Sequence, residues 1–399
     1  NEKVSNHELI IKEENCGTCI FNSRIFSANK YIDELDTIGK IVNLSNMSID
    51  ETNIILDNLC NKEISKLIKV DDYFLHNEDL EGLTNYLTTL SDIGVDAFIV
   101  SDLAVIKRIR ELNLKPEIHI STQESSVNKF AVKFWESVGA TRVVLARECS
   151  KIDILDIKNN TDAELEVFIH GAMCTSYSGR CVLSNYVTKR DSNRGGCTQA
   201  CRFIFKTKKY DDFQIASKDL SMIDHIPELV DMGVSSLKIE GRMRSMYYIA
   251  TVVNTYKNVV TLYKEGKLTN ELMEYYKRVL NRLSNRENKS QFFTGDVNRS
   301  DQYYTGRKVV SNQDFLGVVL DYSDNVMKIE QRNNFKVGDT IEVFGPNTLA
   351  TKIKVDSIIN EENESVSVAS HPQEVLYVKV PFKVEKNDIL RVPISWQMC

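Results

Sequence analysis

The sequence predicts an α/β fold followed by a small all-β barrel, and three observations support this. From residue 69 to about residue 240, short apolar runs alternate with amphipathic stretches, as in a parallel sheet covered by helices. Glycines close several of the amphipathic stretches just before the next apolar run. From residue 315 onward, short apolar runs are separated only by turns, which indicates a small antiparallel barrel.

The elements of the α/β region are predicted from hydrophobic periodicity and from the glycines that end the helices. Periodicity does not separate a closed (β/α)8 barrel from a doubly wound sheet, because both repeat the same unit. The predicted strands are Val70–Leu75, Ala97–Val100, Glu117–Ser121, Arg142–Leu145, Glu164–Ile169 and Ser236–Ile239, and the predicted helices include Leu80–Ile93, Asn128–Val138 and Met222–Met232.

The rest of the chain divides into two helical stretches and a strand-rich end. The helices are predicted at Met246–Leu262 and Asn270–Leu283, and a polar stretch at 284–303 follows them. We therefore predict an atypical N-terminal segment at 1–66, the α/β region at 67–300 and the small β-barrel at 301–399. The strands predicted in the barrel are Gly317–Asp321, Val326–Gln331, Asp339–Phe344, Thr351–Ile359, Val366–Ala369 and Val375–Val378.

Composition limits the class of protein. A chain of 399 residues, 42% hydrophobic, is long enough for two or three domains with a large core. The net charge of −6 argues against a general polyanion binder. Charge is nevertheless uneven, since the segment from Arg180 to Lys209 holds eight basic residues and one acid, a net charge of +7. This basic segment predicts either a solvated loop or a contact with RNA or an anionic small substrate.

The sequence also predicts the compartment. No apolar run approaches the roughly 20 residues that a membrane span needs, and no apolar signal core follows the first residues. Nine cysteines at scattered spacing fit a reducing environment. We therefore expect a cytoplasmic protein with no membrane contact.

Four cysteines just past the strand at 164–169 form the strongest signal for a site. They come as a C-x6-C pair and a C-x3-C pair, with glycines marking tight turns between them. Four thiolates suit an iron–sulfur cluster or zinc, but only the second pair has the spacing of a zinc knuckle. Disulfides and free core cysteines are the alternatives. The four residues are Cys174, Cys181, Cys197 and Cys201.

Polar and charged residues follow nearly every predicted strand, at the end where β/α folds carry their chemistry. For Ser101, Asp102 or Thr122 alone, a helix cap or a core hydrogen bond is the simpler interpretation. Arg147 and Arg242 point instead to an anionic ligand, because a guanidinium in such a position needs a negative partner.

The cysteine run resembles the signature of the U32 peptidase family, once described as collagenase-like. The matching stretch reads EVFIHGAMCTSYSGRCVLSNYVTKRDSNRGGCTQACRF, and the resemblance also includes HISTQES, RVVLAREC, SKDLSMIDHIPELV and SLKIEGRMRS. It extends from about Tyr73 to the C-terminus. The subgroup it resembles consists of tRNA hydroxylation proteins, which use prephenate as hydroxyl donor to convert the wobble uridine to 5-hydroxyuridine without molecular oxygen.

The resemblance implies a fold, a cofactor, a co-substrate and a partner. It favours a TIM-like (β/α)8 barrel, a 4Fe–4S cluster on the four cysteines, prephenate as co-substrate and tRNA as partner. A paralogous U32 subunit is a further expected partner. Catalytic roles are assigned to Arg147, His170, Glu240 and Arg242, and substrate binding to Arg180, Arg194, Gln123 and Lys238.

Two other functions stay open at this point. A peptidase would need a nucleophile or a metal motif, yet the sequence holds no G-x-S-x-G or H-E-x-x-H, and Cys174 near His170 is the single cysteine–histidine candidate. A non-catalytic iron–sulfur subunit of a paired homologue is the second alternative.

The N-terminal segment is where the chain departs from the family pattern. Members normally open with a strand ending in Ala-Pro-Ala-Gly and then a Gly-Ala-Asp-Ala-Val-Tyr strand, and neither is present. Instead, residues 23–39 echo residues 217–233 at a constant offset of 194. We predict that this segment supplies the missing strands at Cys19–Asn22 and Lys40–Leu44, or that the barrel is open or completed by a partner. Cys16-x2-Cys19 lacks a second pair and is interpreted as incidental.

Overall fold

A computed structural model describes most of the chain beyond residue 66. The described residues are 75–206, 208, 212–241, 244–283, 286–295, 297–303 and 314–394, together with the backbone of 67–69. The predictions for the N-terminal segment, including its echo and its two strands, lie outside these residues. So do Arg242, Lys209 and most of the strand predicted at Val70–Leu75.

The chain forms two compact units. The first comprises 1–243 with 286–308, and the second comprises 244–285 with 309–399. The two helices after residue 244 therefore group with the C-terminal strands, whereas the sequence placed the boundary at residue 300. Among the described residues, no helix has both the length and the apolar character needed to cross a membrane.

The first unit is built on a mixed sheet whose order is β1-β2-β3-β4-β5-β7-β9, with β8 also paired to β5. Strands β1 to β5 are parallel to one another, and β8 runs parallel to β5. The α/β class is therefore confirmed, while closure into a (β/α)8 barrel stays a prediction. The strands of this unit are β1 (Leu67–Lys69), β2 (Ala97–Val100), β3 (Glu117–Ile120), β4 (Arg142–Val144), β5 (Glu164–Gly171), β6 (Ala216–Ser217), β7 (Asp219–Ser221), β8 (Ser236–Ile239), β9 (Asn288–Lys289) and β10 (Gln302–Tyr303).

The helices of the first unit begin and end at residues whose chemistry explains the boundary. Asp102 accepts a hydrogen bond from the Ala104 amide and so caps the helix that follows β2, which confirms the simpler interpretation of that residue. Gly94 ends the preceding helix with φ of 85°, a left-handed conformation that glycine adopts at little cost. The helices are α1 (Leu83–Ile93), α2 (Leu103–Glu111), α3 (Lys129–Ser137), α4 (Lys151–Asn160), α5 (Leu183–Thr188) and α6 (Ile226–Asp231).

Strand β5 lies at the centre of the unit and is buried along almost its whole length. Side chains alternate between the two faces of a strand, so Glu166 and Phe168 share one face, and Leu165 and Val167 share the other. The pairing with β8 shifts between Phe168 and His170, so this alternation ends at Phe168. Before the shift, one face therefore carries a carboxylate and an aromatic ring, and the other is aliphatic.

The second unit combines two helices, α7 (Met246–Lys264) and α8 (Asn270–Leu283), with a curled eight-stranded antiparallel sheet. The order of this sheet is β15-β14-β20-β11-β12-β19-β16-β17, and β13 pairs separately with β18. The sequence missed β20, although it is paired on both sides. The strands are β11 (Phe315–Ser323), β12 (Val326–Gln331), β13 (Phe335–Lys336), β14 (Thr340–Phe344), β15 (Thr351–Lys354), β16 (Ile358–Asn360), β17 (Ser365–Val366), β18 (Val368–Ala369), β19 (Val375–Lys379) and β20 (Ile389–Arg391).

Candidate functional site

The four cysteines lie in a segment of turns and one short helix that directly follows β5, called here the cysteine block (residues 174–201). A carboxylate from the exit of β4 holds the start of this block. Glu148 accepts hydrogen bonds from both the amide and the hydroxyl of Ser178, the amide at 2.6 Å. Ser178 is buried and has a left-handed φ of 45°. The turn between Cys174 and Cys181 is thus fixed to a neighbouring strand exit.

A side-chain amide holds the middle of the cysteine block. The amide of Cys181 donates to Asn193 Oδ1 at 3.0 Å, and Asn193 Nδ2 donates back to the Cys181 carbonyl at 2.8 Å. This reciprocal pair ties Cys181 to the turn that precedes Cys197. Gly196 is required in that turn, because a Cβ there would lie 2.6 Å from the Asp191 carbonyl oxygen.

Three of the four cysteine sulfurs accept a hydrogen bond from the backbone amide two residues later. Ser176 donates to Cys174. The amide of Leu183 lies 3.3 Å from the Cys181 sulfur, and the amide of Gln199 lies 3.4 Å from that of Cys197. These three sulfurs are therefore held in the same way, each against the backbone two residues further along the chain.

The four thiols also form one electrostatic group. Burial raises the pKa of the Cys174 and Cys201 thiols. The charge of Cys181 raises both pKa values further, that of Cys201 raises the pKa of Cys174, and that of Cys197 raises the pKa of Cys201. Within the described ranges, no three His, Cys, Asp or Glu side chains converge as a single metal ion would require. Four thiols within one loop segment are the donor set that an iron–sulfur cluster takes, with one cysteine for each iron.

Arg147 connects the exit of β4 to the cysteine block. Its guanidinium lies 3.9 Å above the ring of Phe168, and Nη2 is 3.7 Å from Glu240 Oε2. It also lowers the pKa of the Cys174 thiol, which places its charge close to that sulfur. Only 11% of the Arg147 side chain is exposed. Its ion pair with Glu240 is longer than the 2.7–2.9 Å of a charge-assisted hydrogen bond.

His170 and Glu240 occupy the ends of adjacent strands. The Glu240 amide donates to the His170 carbonyl at 2.9 Å, and the His170 side chain is buried. Gly171 has φ of 117°, and a Cβ there would lie 2.3 Å from the Glu240 carbonyl oxygen. The close approach of the two strands therefore depends on glycine, and it brings His170, Glu240 and Arg147 to one end of the sheet.

Lys238 lies opposite Phe168 on the neighbouring strand, and it already forms an ion pair with a carboxylate. Its ammonium is 2.6 Å from Glu166 Oε1 and 5.4 Å from the centroid of Phe168. Glu166 is buried, which by itself raises its pKa, but Lys238, Ser236 and Arg142 outweigh burial and hold the pKa below its usual value. Lys238 and Arg147 thus both contact Phe168, but Lys238 has a carboxylate of its own.

The remaining predicted substrate ligands lie around the first and third strand exits. Arg180 donates to the Gln123 carbonyl at 2.6 Å and lies 3.3 Å from Glu124, whose pKa burial raises. Arg194 is 2.6 Å from Asp79. Gln123 Oε1 is buried and accepts no hydrogen bond from any described residue. The substrate-binding role of Gln123 stays a prediction, whereas Arg180 and Arg194 hold the cysteine block to neighbouring loops.

The residues that hold the site together are not among those to which the sequence assigned a role. They are Glu148, Ser178 and Asn193. A carboxylate next to a candidate arginine was the available signal for Glu148. For Asn193, the signal was an amide within a glycine-rich turn between candidate ligands.

Comparison with known families and proteins covers both units. The sequence profile of peptidase family U32 matches residues 16–303, and the profile of the U32 C-terminal domain matches residues 311–391. These two matches together include all the candidate residues described above.

Individual relatives carry different functional names. The chain is 38% identical over 342 residues to tRNA hydroxylation protein P1 of Bacillus subtilis, which covers 82% of this chain and 81% of that protein. It is 37% identical over 204 residues to a 23S rRNA 5-hydroxycytidine synthase of Escherichia coli, covering 49% and 31%. It is 27% identical to a collagenase of Porphyromonas gingivalis, covering 79% and 81%.

Proposed function

The chain belongs to peptidase family U32, and on that premise we propose that it is an RNA-modifying hydroxylase that converts the wobble uridine of tRNA to 5-hydroxyuridine. The observation that carries this proposal is the 38% identity, over 82% of the chain, to a protein named for tRNA hydroxylation. The name of the ribosomal RNA relative supports the same reaction type, hydroxylation of a pyrimidine base.

The environment of Arg147 supports an anionic small co-substrate. A guanidinium that is nearly buried costs free energy unless its donors find acceptors. The nearest carboxylate oxygen of a described residue, on Glu240, is 3.7 Å away, beyond the 2.7–2.9 Å of a charge-assisted hydrogen bond. A carboxylate of the co-substrate would supply the missing acceptors in a bidentate pair. Prephenate carries two carboxylates, and Arg242 is the proposed ligand for the second.

The cysteine block supports a 4Fe–4S cluster held by Cys174, Cys181, Cys197 and Cys201. When bound, such a cluster would supply an electron route. The Glu148–Ser178 contact fixes the turn between Cys174 and Cys181, and the Asn193–Cys181 contact fixes the backbone at Cys181. Arg147, which acts on Cys174, would link the anion site to the cluster site.

Three further expectations complete the proposal. The parallel strands of the first unit would close into a (β/α)8 barrel with Arg147, His170 and Glu240 at its mouth. The reaction would take place in the cytoplasm, where tRNA is found. A paralogous U32 chain would act as a partner subunit, and full activity of the purified chain alone would contradict that expectation.

A peptidase finds less support in the described residues. A cysteine nucleophile needs a lowered pKa, but burial raises the pKa of the Cys174 thiol. Three of the cysteines accept the same kind of hydrogen bond, from the amide two residues later. A repeated arrangement of this kind fits a set of metal ligands better than a single nucleophile.

The test is a comparison of tRNA nucleosides by mass spectrometry in cells with and without the gene. We expect 5-hydroxyuridine and its derivatives to disappear without the gene and to return with the wild-type gene. The Arg147→Ala variant should not restore them, whereas Arg108→Ala, which alters an exposed arginine paired with Glu111 on α2, should. An unchanged nucleoside profile in the deletion strain would refute the proposed function.

A further inference from the structure

Helix α5 presents an unusually exposed tyrosine within the cysteine block. The side chain of Tyr186 is 85% exposed, and Val182, one helical turn earlier on the same face, is 55% exposed. Both faces of a ring this exposed are accessible, so it can stack on a planar ligand. Tyr177, Phe203 and Ile204 of the same region are also exposed.

The opposite face of α5 is fixed to the rest of the cysteine block. Ser184 is buried, and its hydroxyl accepts a hydrogen bond from the Thr198 amide at 3.1 Å. Asn185 accepts from the Ser192 amide at 3.1 Å, and the hydroxyls of Thr188 and Thr198 are 3.3 Å apart. Tyr186 is therefore held on a rigid support. Tyr186 follows Cys181 by five residues in the sequence.

The charge around α5 determines which ligand fits the exposed ring. Lys189 and Arg190 directly follow the helix, and Lys189 is exposed. Lys206 and Lys208 are exposed beyond the last cysteine. Exposed aromatic rings among cations bind single-stranded nucleic acid, because the rings stack on bases while the cations neutralise phosphates. A protein partner would use the apolar groups but would give the cations no regular row of phosphates.

We propose that Tyr186 is a stacking platform for an unpaired nucleobase of the RNA substrate, next to the cluster site. This inference rests on the proposed function and adds the residue that holds the RNA loop. The ring stacks on the base, the lysines contact the adjoining phosphates, and the rigid helix positions the loop relative to the cysteine block.

The test measures the affinity of the full-length protein for unmodified tRNA over a range of salt concentrations. Tyr186→Ala should weaken binding by roughly 5- to 150-fold, as expected for the loss of one base–aromatic stack. Because the substitution removes no charge, the slope of log K against log salt should not change. Tyr186→Phe and Tyr186→Trp should bind about as tightly as the wild type, since both keep a ring.

The matched control is Phe130→Ala, because Phe130 is 73% exposed on α3 of the same unit but outside the cysteine block. It should bind tRNA like the wild type. Wild-type affinity in Tyr186→Ala, or weakened binding in Tyr186→Phe, would overturn the stacking platform and leave the proposed function standing. A Tyr186→Ala variant that binds tRNA normally but sediments differently would assign the ring to a protein contact instead. Failure of the wild type to bind tRNA at low salt would count against the proposed function itself.

Discussion

Replacement of Glu148 by alanine tests whether the segment that follows β4 holds the cysteine block in place. The change removes the acceptor of two hydrogen bonds from Ser178, one from its amide and one from its hydroxyl. Hydrogen bonds to a charged group contribute about 1.5–3 kcal/mol each, and the lower value applies because Glu148 is partly exposed. We therefore expect the free energy of unfolding to fall by about 3 kcal/mol.

The assay is urea unfolding of the first unit, combined with the iron content of anaerobically purified protein. Glu148→Gln should lose only about 1 kcal/mol, because one oxygen still accepts from the Ser178 amide and the new amide group can donate to its hydroxyl. Iron should fall sharply in the alanine variant and largely return in the glutamine variant. The control is Glu111→Ala, which breaks only exposed ion pairs on α2 and should cost less than 1 kcal/mol. Normal stability and full iron content in Glu148→Ala would refute the anchoring role.

The remaining predictions concern the cluster, the anion site and the basic segment. Serine at any one of the four cysteines of the block should remove most of the iron and sulfide, whereas Cys149→Ser, at a buried thiol outside the block, should not; stoichiometric zinc without iron after anaerobic purification would contradict the cluster. Arg147→Lys should be nearly as inactive as Arg147→Ala, because lysine keeps the charge but lacks the bidentate geometry, and normal activity with lysine would make this residue structural. Alanine at Lys189, Lys206 and Lys208 together should reduce the salt dependence of tRNA binding by roughly two units with iron content unchanged, and an unchanged slope would exclude these lysines from phosphate contact.

Features set by neighbouring residues could be predicted from the sequence. Strands β2 and β8 occupy the predicted residues, because a short apolar run bounded by polar residues and turns fixes where the strand begins and ends. The cap at Asp102 and the helix end at Gly94 follow from side-chain and backbone properties of single residues.

Contacts between residues distant in the sequence could not be predicted. Glu148 and Ser178 are 30 residues apart, and Arg194 and Asp79 are 115 apart. No periodic pattern encodes such pairs, because they depend on which strand exits come together after folding. The same reason explains β20, a three-residue strand whose identity depends on its neighbours β11 and β14 on either side. The sequence thus predicted candidate site residues but not which of them are already paired.

The central claim is that the chain hydroxylates tRNA with a co-substrate bound at Arg147. The most direct measurement incubates anaerobically purified, iron-loaded protein with unmodified tRNA and prephenate, and analyses the nucleosides by mass spectrometry. We predict the addition of one oxygen atom to the wobble uridine, dependent on prephenate, independent of molecular oxygen and absent with Arg147→Ala. Product formation without prephenate, or at an unchanged rate in Arg147→Ala, would contradict the account.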